Sequence, residues 1–169
     1  EGAARETKLM EIVRAYGMRM IGPNCMGVVN ADPAVSMNAT FATAMPPFGH
    51  SAFVSQSGAL GLSVLDYAQE YGIGISQFVS VGNKPDVSVN DLLVEWEIDP
   101  TIKVILMYVE NFGNPRLILE IPSRITKFNP IIVLKPGRSR VGALAASSYT
   151  RPMAVFAIVV DARLSRSVG

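Results

Sequence analysis

From residue 51 onward, apolar runs alternate with helical patterns, and this alternation constrains the fold more than any other feature of the chain. Ser51–Ser55, Ile75–Val81, Val104–Val109 and Ile131–Leu134 read as strands. Between them, Gly58–Tyr71 reads as a helix closed by Gly72. Val89, Leu92, Leu93 and Trp96 mark a second helix, with Ser88 as cap and Asp91 as its capping-box partner. Asn114-Pro115 opens a third in cap-then-first-turn order, and Pro122 is expected to kink or shorten it. Strands that are apolar throughout must be covered on both faces, and strands joined by helices pair in parallel through right-handed crossovers. The pattern predicts an open, doubly wound parallel α/β sheet, flavodoxin-like in type. Ligands of such sheets bind beyond the carboxyl ends of the strands.

The first fifty residues are less regular. Leu9, Ile12, Val13 and Tyr16 recur at helical spacing, and Gly17 is a plausible stop. Met18–Ile21 is a short, mostly apolar run ended by Gly22-Pro23-Asn24, and Val28-Val29 suggests a short strand. Residues 31–50 show no period and read as an ordered connection, with a boundary between two units near 40–50.

Composition excludes several classes of function. With 49% hydrophobic and 17% charged residues the chain can bury a sizeable core, and a net charge of +1 gives no electrostatic footprint for nucleic acid. Cys25 and His50 are the only residues of their types, which rules out an internal disulfide and argues against a structural zinc site. No metal site is expected, and a reducing, cytoplasmic compartment is. The longest purely apolar run, Met153–Val160, is far short of the roughly 20 residues that cross a bilayer, so no membrane partner is expected.

Five segments carry candidate chemistry. Val54-Ser55-Gln56-Ser57-Gly58-Ala59-Leu60-Gly61 is a strand, a tight turn and a helix start. Free amides and the helix dipole there favour an anion, with Ser55 and Ser57 as added hydroxyl donors; the bland reading is that Ser57 only caps the helix. A nucleophile-elbow reading of Ser57 fails on Ser55 and Ala59, which stand where that motif has glycines. Gly82-Asn83-Lys84-Pro85-Asp86 reads either as a ligand loop, through Asn83, Lys84 or Asp86, or as a turn before the next helix. Glu110 ends the third strand, as a crevice-mouth carboxylate or a solvated strand-end charge. Gly22–Gly27 holds Asn24 and Cys25, and nothing near Cys25 marks it as an activated nucleophile. Lys135-Pro136-Gly137-Arg138-Ser139, with Arg140 and Ala145–Thr150 beyond, is an anion loop or a mobile surface loop.

Together and in this order, the five segments resemble the NDP-forming acyl-CoA synthetases, which include succinyl-CoA synthetase α chains and ADP-forming acetate–CoA ligases. The resemblance implies that residues 1–40 are the tail of a Rossmann-type CoA-binding domain plus a linker. It implies a flavodoxin-like ligase domain over residues 50–150, and residues 151–169 read as a divergent tail. It implies formation of acyl-CoA from acid, CoA and nucleoside triphosphate through an acyl phosphate and a phosphohistidine. The implied partners are CoA, a small carboxylic acid, and an ATP-grasp domain or β subunit that binds ATP/ADP or GTP/GDP with Mg. No cofactor is expected to bind tightly to this segment alone.

Carried over by position, Ser55, Gln56, Ser57 and Gly58 match the phosphate-facing helix start, and Glu110 matches the glutamate that orients the phosphohistidine. Asn24 and Cys25 match the turn near the CoA thiol, with Gly82, Asn83 and Lys84 beside them. The phosphohistidine is expected in a Ser-His-Thr-Gly context, and this chain reads Ser148-Tyr149-Thr150-Arg151. Tyr149 at that position implies an impaired relay. The alternative is a non-catalytic CoA- or phosphate-binding regulatory domain of a fused acyltransferase-type protein.

Overall fold

The computed structural model describes residues 1–110, 121–122, 124–126, 129–136 and 155–160. Three helices and seven strands are bounded within them: α1 (Gly2–Ala15), β1 (Gly27–Asn30), β2 (Met37–Thr40), β3 (Ser51–Ser55), α2 (Gly58–Glu70), β4 (Ile75–Ser80), α3 (Val89–Ile98), β5 (Val104–Tyr108), β6 (Ile131–Pro136) and β7 (Val155–Val160). Ile121, Pro122, Arg124 and Ile125 are also helical. Any kink at Pro122 depends on residues outside the described set.

The strands form one sheet in the order β2-β1-β4-β3-β5-β6-β7. Its centre, β4-β3-β5-β6, is parallel, as the alternation predicts. The outer strands are not: β1 runs antiparallel to β4 and to β2, and β7 antiparallel to β6. The doubly wound, flavodoxin-like parallel sheet is thus present at the centre, and antiparallel strands extend it at both edges. Parallel pairing needs a long crossover, usually helical, and the aperiodic stretch between β2 and β3 supplies none. The sheet also runs across the expected boundary near 40–50, because β1 and β2 extend it at β4. One expectation changes locally: Val155–Val160, read only as part of a tail, forms a strand.

Both faces of the sheet are buried. On one, Ala52, Val54, Val79, Val81, Ile105, Met107 and Val109 pack against Val89, Leu93 and Trp96 of α3 and against Ile121 and Ile125. On the other, Phe53, Phe78 and Tyr108 pack against Leu65 and Ala68 of α2. Period-two alternation along β3 and β5 sends successive side chains to opposite cores. Trp96 is fully buried, and its indole N–H donates to Gln77 Oε1 at 2.9 Å, so the ring adds apolar area without orphaning its one donor. Ser88 and Asp91 form the predicted capping box of α3.

Candidate functional site

The carboxyl ends of β3, β4 and β5 bring three turns to one edge, and the start of β1 adds a fourth. Ser55, at the end of β3, is fully buried, and its hydroxyl donates to the carbonyl of Ser57 at 2.7 Å while accepting the Ser57 amide at 3.2 Å. That hydroxyl shapes the turn, and its donor is engaged by the Ser57 carbonyl. Ser57 is the N-cap of α2; its Oγ accepts the Leu60 amide at 3.4 Å, and its carbonyl accepts the Gly61 amide at 3.0 Å. Among the described residues, the amides of Gly58 and Ala59 have no partner. They point along the positive end of the helix dipole, an arrangement suited to a phosphate. A Cβ at Gly58 would lie 2.8 Å from Met26 Cγ, so a larger residue there would force the Met26 side chain to shift.

Gln56 joins this turn to β5. Its amide donates to the Tyr108 carbonyl at 3.0 Å, and its Oε1 accepts the amide of Glu110. Glu110 is therefore held beside the helix start, with its residue exposed at the edge. Burial, and then the Glu110 carboxylate, push the Tyr108 phenol above its ordinary range, so the phenol stays protonated and neutral at neutral pH.

The other two turns lock together. Gly82 has a left-handed φ of +55°, and a Cβ there would lie 2.2 Å from the Pro23 carbonyl oxygen. The Asn83 amide donates to that same oxygen at 3.0 Å, and Asn24 Nδ2 reaches Asn83 Oδ1 at 3.4 Å. Asn83 Nδ2 donates to Glu6 Oε2 of α1 at 2.7 Å. Lys84, at φ +51°, donates its amide to the Val81 carbonyl. Cys25 is half-buried, with Sγ 3.7 Å from the carbonyl of Ile21.

Asp86 takes a structural role rather than that of a ligand carboxylate. It accepts the Met20 amide at 2.6 Å, and Arg19 Nε lies 3.1 Å from both of its oxygens. The Met20 amide, and then Arg19, hold its carboxyl below the usual range, and Asp86 in turn raises the Arg19 guanidinium. Sequence reasoning missed this clasp between residues 19–24 and 82–87, because its hydrogen-bonded partners lie 59 to 67 positions apart. Tyr149, Arg138, Arg140 and the Ala145–Thr150 segment lie outside the described residues, as does the side chain of Lys135. Among the described residues no cluster of His, Cys, Asp and Glu forms a metal site, and no helix is long and apolar enough to cross a membrane.

Residues 48–168 match the family model described as the succinyl-CoA ligase like flavodoxin domain. The chain belongs to that family. Acetate–CoA ligase [ADP-forming] I of Archaeoglobus fulgidus is 40% identical over 154 residues, which cover 91% of this chain and 22% of that protein. The acetate–CoA ligase [ADP-forming] I subunit alpha of Pyrococcus furiosus is 44% identical over 154 residues, covering 91% of this chain and 33% of that subunit. Among solved structures, acetyl-coenzyme A synthetase 1 of Ca. Korarchaeum cryptofilum, in complex with phosphate and ADP, superposes with a TM-score of 0.79 at 40% identity, covering 96% of this chain and 34% of that one. This member of the succinyl-CoA ligase-like family thus spans between 22% and 34% of the length of these three relatives.

Proposed function

We propose that this chain is the acyl-transfer portion of an NDP-forming acyl-CoA synthetase, which converts a small carboxylic acid, CoA and a nucleoside triphosphate into acyl-CoA, nucleoside diphosphate and phosphate. The observation that carries the reading is the pair of unpartnered amides at the start of α2, tied through Gln56 to Glu110. In this reading the phosphoryl group of an acyl phosphate rests on the amides of Gly58 and Ala59. The CoA thiolate attacks the carbonyl carbon, the carbon–oxygen bond to phosphate breaks, and the leaving phosphate is stabilised by those amides and the dipole. Asn24 and Cys25 border the thiol's approach. Glu110 orients the group that exchanges phosphoryl with ATP or GTP, bound with Mg on an ATP-grasp domain or β subunit.

Tyr149 occupies the position of that group. A phenol is a poor phosphoryl acceptor at neutral pH compared with imidazole, and a phosphorylated phenol beside Glu110 would set two anions together. The half-reaction is therefore expected to survive where nucleotide-driven synthesis fails; the second reading, a non-catalytic CoA- or phosphate-binding regulatory domain, predicts that the half-reaction is lost as well. The test uses the full-length protein with its nucleotide-binding domain. Acetyl phosphate and CoA should give acetyl-CoA and phosphate, while γ-labelled nucleotide should leave no acid-labile label on the protein. Label is expected to return in Tyr149→His, and more fully when residues 151–157 are also made small. Label on the wild type would overturn the role given to Tyr149; no acetyl-CoA from acetyl phosphate would overturn the whole reading.

A further inference from the structure

Among the described residues β2 is an outermost strand of the sheet, paired on one side only, with β1. An outer strand presents alternate amides and carbonyls to any extended chain that meets it, and proteins commonly guard such an edge with lysine, other charges or proline. Met37–Thr40 contains none of these, and no Asp, Glu, Lys or Arg occurs from Pro33 to Leu65. Val35, Met37 and Phe41 are large apolar side chains exposed on the same stretch.

The edge is closed by side chains of its own. The Ala39 carbonyl turns in toward β1, where its oxygen lies 1.9 Å from a Cβ built on Gly27, so the amides of Asn38 and Thr40 turn outward. The outward Thr40 amide donates to Asn38 Oδ1 at 3.1 Å, and Thr40 Oγ1 donates to the same oxygen at 2.6 Å. Thr40 Oγ1 in turn accepts the Ala42 amide at 3.0 Å, and Asn38 Nδ2 donates to the Ala42 carbonyl at 3.4 Å. Before the strand, the Ser36 amide donates to the Asp32 carbonyl at 2.7 Å. The donors that an added strand would use are thus engaged locally, with the Asn38 amide left over. The bonds to Ala42 also hold the bend at Phe41 that ends β2 after four residues.

We propose that the outer side of β2 is a latent docking edge for β2 of a second copy of this chain, and that the Asn38 side chain holds it closed. Two copies of one strand meet antiparallel about a twofold axis, an isologous contact in which the same donors and acceptors serve both chains. No charge opposes that contact, since neither strand carries one. Met37 and Ala39, two positions apart, share a face of the strand and would meet their counterparts across the pair. The opposition is local. Each Thr40 amide must first leave Asn38, and a strand that stops at Thr40 offers too few pairs to offset that loss.

The test uses the full-length protein, by sedimentation over a range of concentrations and hydrogen exchange across residues 36–42. Asn38→Val replaces the capping amide with a strand-favouring apolar side chain, and should tighten self-association at least about tenfold over the wild type, the scale of one or two net hydrogen bonds. Its Thr40 amide should lose protection when the variant is dilute and regain it when concentrated. Asn38→Asp keeps an oxygen for the Thr40 amide and adds a charge, and should associate no more than the wild type. Thr40→Val removes the hydroxyl that both Asn38 and Ala42 use; it carries the same sign with a smaller change, and serves if Asn38→Val does not fold. Adding Ala39→Lys to either valine variant should abolish the gained association, because like charges then meet across two copies of one strand. Unchanged association in both valine variants overturns the proposal. So does a gain that Ala39→Lys leaves in place, since the contact then runs through another surface.

Discussion

The β3–α2 turn and the clasp of residues 19–24 with 82–87 stand side by side at one edge of the sheet, but they are held by different means. The turn is self-contained. Ser55, Ser57, Leu60 and Gly61 satisfy one another within seven residues, and the two amides left over are the ones an anion needs. The clasp is assembled from two segments far apart in the chain, with bonds spanning 59 to 67 positions, by the Met20 amide, Arg19, the Pro23 carbonyl and the Asn24–Asn83 contact. A turn of the first kind forms with its helix. A clasp of the second kind exists only once α1, β1 and β4 have docked, so its contacts report tertiary stability more than local structure. The difference teaches where each part of the site is vulnerable: the anion turn to changes in its own few residues, the clasp to a shift in either segment.

The comparison would break most severely at Gly82. Gly82→Ala places a Cβ 2.2 Å from the Pro23 carbonyl oxygen and demands a left-handed φ of a residue with a side chain. A loss of about 3 kcal/mol or more is expected in urea unfolding. A fall of less than about 1 kcal/mol would mean that the two segments are not held as tightly as the geometry implies.

Asp86→Asn probes the same clasp through its charge. The carboxyl of Asp86 is held below the usual carboxylate range, first by the Met20 amide and then by Arg19, so its contribution is fully present above that range and is lost as pH falls through the lower folded-state value. The Tm gap between wild type and Asp86→Asn should be largest and flat from neutral pH down to about 4, then close in more acid solution. A gap that stays constant into strong acid would show that the carboxylate charge contributes nothing to the clasp.

The smallest effect is expected at the turn. Ser57→Ala removes a cap bond that is already long, at 3.4 Å, and should cost about 0.5–1 kcal/mol. Its anion function is read separately. In a phosphate titration followed by amide NMR, Gly58 and Ala59 should shift first, and Asn83 in the clasp much less. If Asn83 moves most, the anion belongs to the clasp.

These contrasts also separate what the chain by itself determined from what only tertiary structure decided. The four parallel strands, the two cores and both helix caps follow from local pattern: apolar runs too long to leave a face in water, and Ser57 and Ser88 placed where helix amides lack partners. The cap at the start of α2 is legible for the same reason, since the bonds of the Ser55 and Ser57 side chains are short-range, whereas the ties of Gln56 to Tyr108 and Glu110 are not. The antiparallel outer strands, the β7 pairing and the use of Asp86 as a brace were not legible. Each depends on which distant group comes to lie within hydrogen-bond reach, and periodicity carries no information about that. Met26 is the sharpest case. In the chain it is one more apolar residue in a turn, and only the closure of β1 onto β4, beneath the start of α2, sets it against a glycine that has no side chain to keep it away.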